Sequence, residues 1–377
     1  MTMKRRIVII IFVLSLFLTG CTHDMNKEEI NELDLVLVLG IDYADGEYEL
    51  SALYSTGEGG DSDSESGTGK EEVATGTGKT AYEALEKLKL KNQKDITLAQ
   101  TSSFLIGEGA AKQGIDTCLD FLKRDETIKM EALIYIVKGD KASDFIQEAI
   151  ENKQTIHADM KAVEQKQLKM LTRNDNTLVN ILNDMEQSYS GILIPYLIAD
   201  ESSFLIEGYA VFDQLKLSDY LDRETSDGVN FFKNIMRTYP IYLKDGVALA
   251  ISYTKTKLKA EAANNFITVT VKVDFDTMLK EITTKENVFS QASLLELTKQ
   301  QNEYIRSVLE KPAQYSIDHA LDILSLARLV ENQNTREWGK LKDTWKESIP
   351  KIRYEYIVRS QITKSFILGK EENNVEY

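Results

Sequence analysis

Apolar positions along this chain fall into three kinds of run: one unbroken block at the start, short segments that are continuous or alternate, and longer stretches with helical spacing. Residues 33–43 are nearly continuously apolar, the pattern of a strand buried on both faces. Asp45-Gly46 is a strong turn signal and residues 47–55 alternate, so a β-hairpin is expected to open the fold. Residues 57–79 are low-complexity Gly, Ser, Thr, Asp and Glu with little to bury, and a mobile exposed loop is expected there. Tyr82, Leu85 and Leu88 then predict a helix over 80–90. A strand over 103–107, helices across 110–123, a strand over 130–138 and a helix over 143–150 follow. Alternating element types predict a mixed α/β domain over 32–150.

Residues 151–187 are polar and helical in tendency, and read as a linker into a middle domain over 151–225. Residues 191–199 and 203–212 predict a hairpin across Asp200-Glu201, and 215–222 and 227–237 read as helices. A C-terminal domain over 226–377 is expected to combine an antiparallel pair (247–257, 265–275), helices over 290–310 and 317–330, and a closing strand over 352–362. The fold class is therefore α+β (mixed α/β), with mostly antiparallel sheets flanked by helices.

The opening block changes the picture. Lys4, Arg5 and Arg6 precede an apolar run over 7–17, too short to span a bilayer stably, and Leu18-Thr19-Gly20-Cys21 ends it. Small residues before a cysteine are the lipobox pattern, so residues 1–20 are expected to be a lipoprotein signal peptide. Cleavage falls between Gly20 and Cys21, the Cys21 sulfur becomes the lipid attachment point, and 21–31 form a polar tether. Two or more acyl tails give stable anchoring, and no second apolar stretch of spanning length follows.

Charge and cysteine content narrow the classes further. Removing the three leader cations from a chain of net charge −15 leaves a body of about −18. Nucleic acid and anionic headgroups repel such a body, so the lipid must hold it to the membrane. Cys118 remains as the single thiol, in an amphipathic stretch, and reads as a buried small hydrophobe. A disulfide-stapled fold is excluded.

Candidate chemistry is thin. Gly76-Thr77-Gly78-Lys79-Thr80 resembles the end of a phosphate-binding loop, but Val73 stands where the first glycine belongs, so a solvated loop capping a helix is expected. Asp61, Asp63, Glu65 and Glu72 sit at calcium-loop spacing, yet Ser66 occupies the obligatory glycine position. The three histidines, His23, His157 and His319, are far apart. No nucleophile has a base placed by local sequence. No cofactor, metal or catalytic residue is assigned.

Taken together, the lipobox, Glu29-Ile30-Asn31-Glu32-Leu33 and Leu39-Gly40-Ile41-Asp42 resemble the Ger(x)C family, the C-subunit lipoproteins of bacterial spore germinant receptors. The glycine-rich segment and helix over 76–88 agree, as do Leu105-Ile106-Gly107-Glu108-Gly109-Ala110 and Asp120-Phe121-Leu122-Lys123-Arg124-Asp125. Ile194-Pro195, Glu207-Gly208-Tyr209-Ala210-Val211-Phe212, Tyr315-Ser316-Ile317-Asp318, Trp338 and Trp345 extend the resemblance over the rest of the chain. Two positions depart from it: Thr22-His23-Asp24 replaces a common tryptophan after the cysteine, and Ser365 stands where a glycine is common.

The resemblance implies a non-enzymatic, three-domain ectodomain on the outer face of the spore inner membrane, assembled with the integral-membrane A and B subunits. Exposed turns at Gly107 and Gly109 and at Arg124-Asp125 are the expected partner surface, because glycine turns beside charged residues are where binding tends to sit. The competing reading gives the glycines to backbone geometry and pairs Arg124 with Asp120 or Asp125. An alternative function is a solute-binding lipoprotein of a transport system, which would show long βαβ runs where this chain predicts antiparallel pairs.

Overall fold

The computed structural model describes residues 33–55, 71–152, 155–187, 189–200, 203–243, 246–263, 266–283 and 290–363. β1 (Leu33–Ala44) and β2 (Glu47–Ser55) pair antiparallel down to Ala44↔Glu47. Between them Asp45 and Gly46 have φ of 54° and 81°. Two left-handed residues match the twist of the flanking strands, which is why Asp-Gly closes this hairpin. A register shift between Val36 and Val38 turns β1 over. Val36 therefore packs with Leu39 and Ile41 in one core, while Val38 lies in the core on the opposite face.

The expected loop is partly a strand. β3 (Glu71–Gly78) pairs antiparallel with β2 over its whole length, and the remainder of that stretch, residues 57–70, lies outside the described residues. Gly76 and Gly78 serve close packing instead of solvated loop chemistry. A Cβ on Gly76 would stand 2.2 Å from Ala84 O, and one on Gly78 2.6 Å from Ala84 N, so glycine lets α1 (Ala81–Lys91) lie directly on the strand. Thr80 caps that helix by accepting from Glu83 N at 3.1 Å.

β4 (Asp95–Thr97), β5 (Ser103–Gly107), α2 (Glu108–Gln113), α3 (Ile115–Arg124), β6 (Leu133–Val137) and α4 (Ala142–Glu151) follow. The stretch read as a linker carries two packed helices. α5 (Ile156–Met170) buries Ile156 and Met160 on one face of the first sheet, and α6 (Leu178–Met185) buries Leu178 and Ile181 on the other. β7 (Ile192–Asp200) and β8 (Ser203–Asp213) form the expected hairpin and continue the same sheet. β1, β5, β6 and β7 run parallel at its centre, in the order β3-β2-β1-β5-β6-β7-β8-β9, with β4 beside β1.

Residues 215–222 do not form a helix. Gln214 and Leu215 have φ of 49° and 66°, a tight turn that sends β9 (Lys216–Tyr220) back antiparallel onto β8. The following helix, α7 (Arg223–Phe232), starts earlier than expected because Asp222 caps it, accepting from Thr225 N at 2.8 Å. It ends before left-handed Asn234.

The second sheet comprises β10 (Pro240–Leu243), β11 (Val247–Ala263), β12 (Phe266–Ile282) and β13 (Arg353–Thr363). β13 pairs parallel with β12, because α8 (Gln291–His319), α9 (Leu326–Gln333), α10 (Thr335–Leu341) and α11 (Trp345–Ser348) carry the chain over before it returns. α8 is one helix running through Pro312, and it stops at left-handed Ala320, so the helix expected over 317–330 is broken there. Among the described residues six strand pairings are antiparallel and five parallel, and helices flank both sheets.

Candidate functional site

Where parallel strands end at their carboxyl sides, an α/β sheet gathers loop and helix termini, and that edge is the first place to seek a site. Asp42 lies there, 2 % exposed, and accepts from Ala142 N at 2.7 Å and Ser143 N at 2.8 Å. The N-terminus of α4 is thus filled by a carboxylate of the chain itself. Burial pushes the Asp42 carboxyl up to about 6, against those two hydrogen bonds. Gly107 is buried against it: a Cβ would stand 1.9 Å from Asp42 Oδ1. Gly109 is exposed, but a Cβ there would meet Tyr43 O at 2.5 Å.

Glu108, between the two glycines, accepts from Gly139 N at 2.7 Å and from the Tyr220 hydroxyl at 2.8 Å, and pairs with Lys112. Burial opposes its ionisation, and these partners outweigh burial, holding its carboxyl below the usual range. Lys138 Nζ sits 4.8 Å from the Tyr196 ring centre and 4.7 Å from that of Tyr220. Every charged group named along this edge is matched by an internal partner, which makes it a locked corner of the fold.

Arg124 and Asp125 lie elsewhere. α3 carries the chain back for ten residues, about 15 Å, toward the amino ends of the parallel strands. Arg124 Nε donates to Asp120 Oδ2 at 2.7 Å, and Asp125 Oδ1 accepts from Thr127 N at 2.9 Å. The four residues expected as a partner surface therefore form two separate places, and the local pairing of Arg124 with Asp120 is present. Gly20 and Cys21 lie outside the described residues. Cys118 is fully buried, and burial pushes its thiol up to about 12, so it is inert as a nucleophile. Among the described residues no three His, Cys, Asp or Glu side chains gather as a metal site.

Among the described residues, one concave site that sequence reading missed lies beside the first sheet. A cavity of about 110 Å³ opens between α5, β8 and α7, with carbon walls from Val163, Met170, Phe204 and Ile206. Lys166, Gln167, Arg223, Ser226, Asp227 and Asn230 are among its polar lining residues. Arg223 donates from one terminal nitrogen to Ile206 O at 2.9 Å and from the other to Met170 Sδ at 3.4 Å. Its Nε lies 3.6 Å from Asp227 Oδ2. Burial pushes the Asp227 carboxyl up to about 6 despite that guanidinium. The only sequence signal was Arg223 and Asp227 four apart after a capping aspartate, and the lining comes from three segments separated by about twenty to sixty residues.

Comparison with known proteins places this architecture. Residues 26–199 match the family described as Spore germination protein N-terminal domain, and residues 207–365 match Spore germination B3/GerAC like, C-terminal. Spore germination protein KC of Bacillus subtilis (strain 168) is 21% identical over 408 residues, covering 100% of this chain and 99% of that protein. The putative spore germination protein YfkR of the same organism is 24% identical over 229 residues, 56% of each chain. The crystal structure of the GerBC protein superposes with a TM-score of 0.56 at 17% identity, over 86% of this chain and 96% of the other, which shows a shared fold. With both halves of the chain matched in order, it belongs to the Ger(x)C family of spore germination receptor proteins.

Proposed function

We propose that this chain is the lipoprotein subunit of a spore germinant receptor, working by docking and without bond-making chemistry. In this reading residues 1–20 are removed and Cys21 carries the lipid. The body then stands on the outer face of the spore inner membrane beside the integral-membrane A and B subunits. The observation that carries the reading is the ordered match of both halves of the chain to the two germination-protein families, behind a lipobox. Among the described residues no helix is long and apolar enough to cross a membrane, so a lipid is the anchor the reading needs. Confinement by acyl tails raises the local concentration toward membrane partners, and modest contacts then suffice. Exposed Gly109 and the Arg124-Asp125 end of α3 are the proposed contact points, with buried Gly107 holding the first of them in shape.

Cys21→Ala tests the anchor: the chain should leave the membrane fraction, keep its circular dichroism, and lower germination with the nutrients its receptor serves. Wild-type membrane fractionation of Cys21→Ala, or germination unchanged for every nutrient after deletion of the whole gene, would overturn the proposal.

A further inference from the structure

The second sheet ends in an unfinished edge. β13 is its last strand, with β12 as its one strand neighbour among the described residues, so every second residue along β13 turns its N–H and C=O outward. Such an edge is commonly blunted by a proline, a bulge, a short length or a charge turned toward the core. None of these occurs in β13. It runs 11 residues, Arg353–Thr363, without proline and in unbroken register with β12, and it packs Tyr354, Tyr356 and Val358 against the core. Its other side carries Arg353, Glu355, Ile357, Arg359 and Gln361, all exposed. We infer that β13 is a docking edge for a second copy of this chain, paired antiparallel about a two-fold axis at Ile357. The inference needs neither the lipid anchor nor the membrane subunits proposed above.

The occupant follows from charge. A two-fold axis normal to the sheet makes the strand its own partner, and residues equally far from the axis then face each other on one side of the sheet. With Ile357 on the axis, Glu355 of each copy faces Arg359 of the other, Arg353 faces Gln361, and Ile357 meets itself. On the core side Tyr356 meets Val358. Neighbouring registers lose this match. Centring on Tyr356 sets Arg353 against Arg359, centring on Glu355 or Arg359 sets a charge against itself, and centring on Val358 leaves every charge without an opposite. Registers centred nearer either end pair too little of the strand. The fit at Ile357 spans residues 353–361, makes about eight to ten main-chain hydrogen bonds, and joins two four-stranded sheets into one.

The test is thiol cross-linking of full-length cysteine variants, with the wild type as blank because Cys118 is buried. Ile357→Cys should cross-link to its own copy. Arg353→Cys should not, since its two sites lie about 26 Å apart across the axis, yet mixing Arg353→Cys with Gln361→Cys should give the product. In the Ile357→Cys chain, Arg359→Glu sets like charges together at both flanks of the axis. Pairing should weaken about tenfold, read from the protein concentration needed for half-maximal product, and adding Glu355→Arg should recover it. Circular dichroism should be unchanged throughout, these side chains being exposed. No product from Ile357→Cys would leave the edge to a different chain and overturn the inference. Equal yields from Arg353→Cys and Ile357→Cys, or no recovery in the double reversal, would overturn it as well.

Discussion

Asp322 offers the sharpest test of how the two sheets are joined. It follows α8, is 1% exposed, and accepts from Leu326 N at 2.8 Å and Ala327 N at 2.7 Å. Trp345 Nε1 donates to the same carboxylate at 3.3 Å, and the backbone oxygen accepts from Gly191 N at 3.0 Å, where the chain enters β7. One residue thus starts α9, fixes an indole and ties both sheets together. Burial pushes its carboxyl up, and the N–H donors pull it back. Asp322→Ala leaves two helix N–H groups and one indole N–H without an acceptor in a buried site. At about 1–3 kcal/mol for each orphaned donor, with partial relaxation, the expected loss is about 3–5 kcal/mol. Asp322→Asn keeps one acceptor and turns an NH₂ toward a backbone donor, an expected loss of about 1–3 kcal/mol. The chain has two tryptophans, Trp338 and Trp345, buried with ring centres 5.2 Å apart, so urea unfolding followed by tryptophan fluorescence reads this very place. A loss below about 1 kcal/mol in Asp322→Ala, or a larger loss in Asp322→Asn than in Asp322→Ala, would refute the reasoning.

Asp42 should leave a pH signature. Its carboxyl is raised from 3.8 to about 6 on folding, so the native state holds the proton more tightly and stability falls as pH rises between those values, by about 3 kcal/mol. Urea midpoints measured from pH 4 to 7 should lose that slope in Asp42→Asn. Gly76→Ala forces a Cβ to 2.2 Å from Ala84 O, and lifting α1 off β3 should cost about 2 kcal/mol or more, seen as a lowered melting temperature. Arg124→Ala should leave the urea midpoint where it is, since the exposed pair with Asp120 is water-screened, yet weaken co-purification with the membrane subunits if that helix end is a contact. Cys118 in a Cys21→Ala chain should resist a thiol reagent until urea unfolds the protein.

Local chemistry alone determined much of this protein. Asp45-Gly46 specified a hairpin because left-handed residues close one with the right twist, 103–107 and 191–199 specified strands by nearly continuous apolar runs, and 203–212 did so by two short apolar runs either side of Glu207-Gly208. The lone buried thiol and the Arg124–Asp120 pair were also readable, since each depends on neighbours within one helix. Tertiary structure decided the rest. Residues 216–220 alternate too weakly to declare a strand and become one because the hydrogen-bonding edge of β8 is available. Gly76 and Gly78 looked like loop chemistry, and their meaning lies in the absent Cβ against a helix that follows them. The cavity at Asp227 and the carboxylate bridge at Asp322 are built from segments far apart in the chain. No window along the sequence contains them, because burial and hydrogen-bond partners are properties of the packed fold.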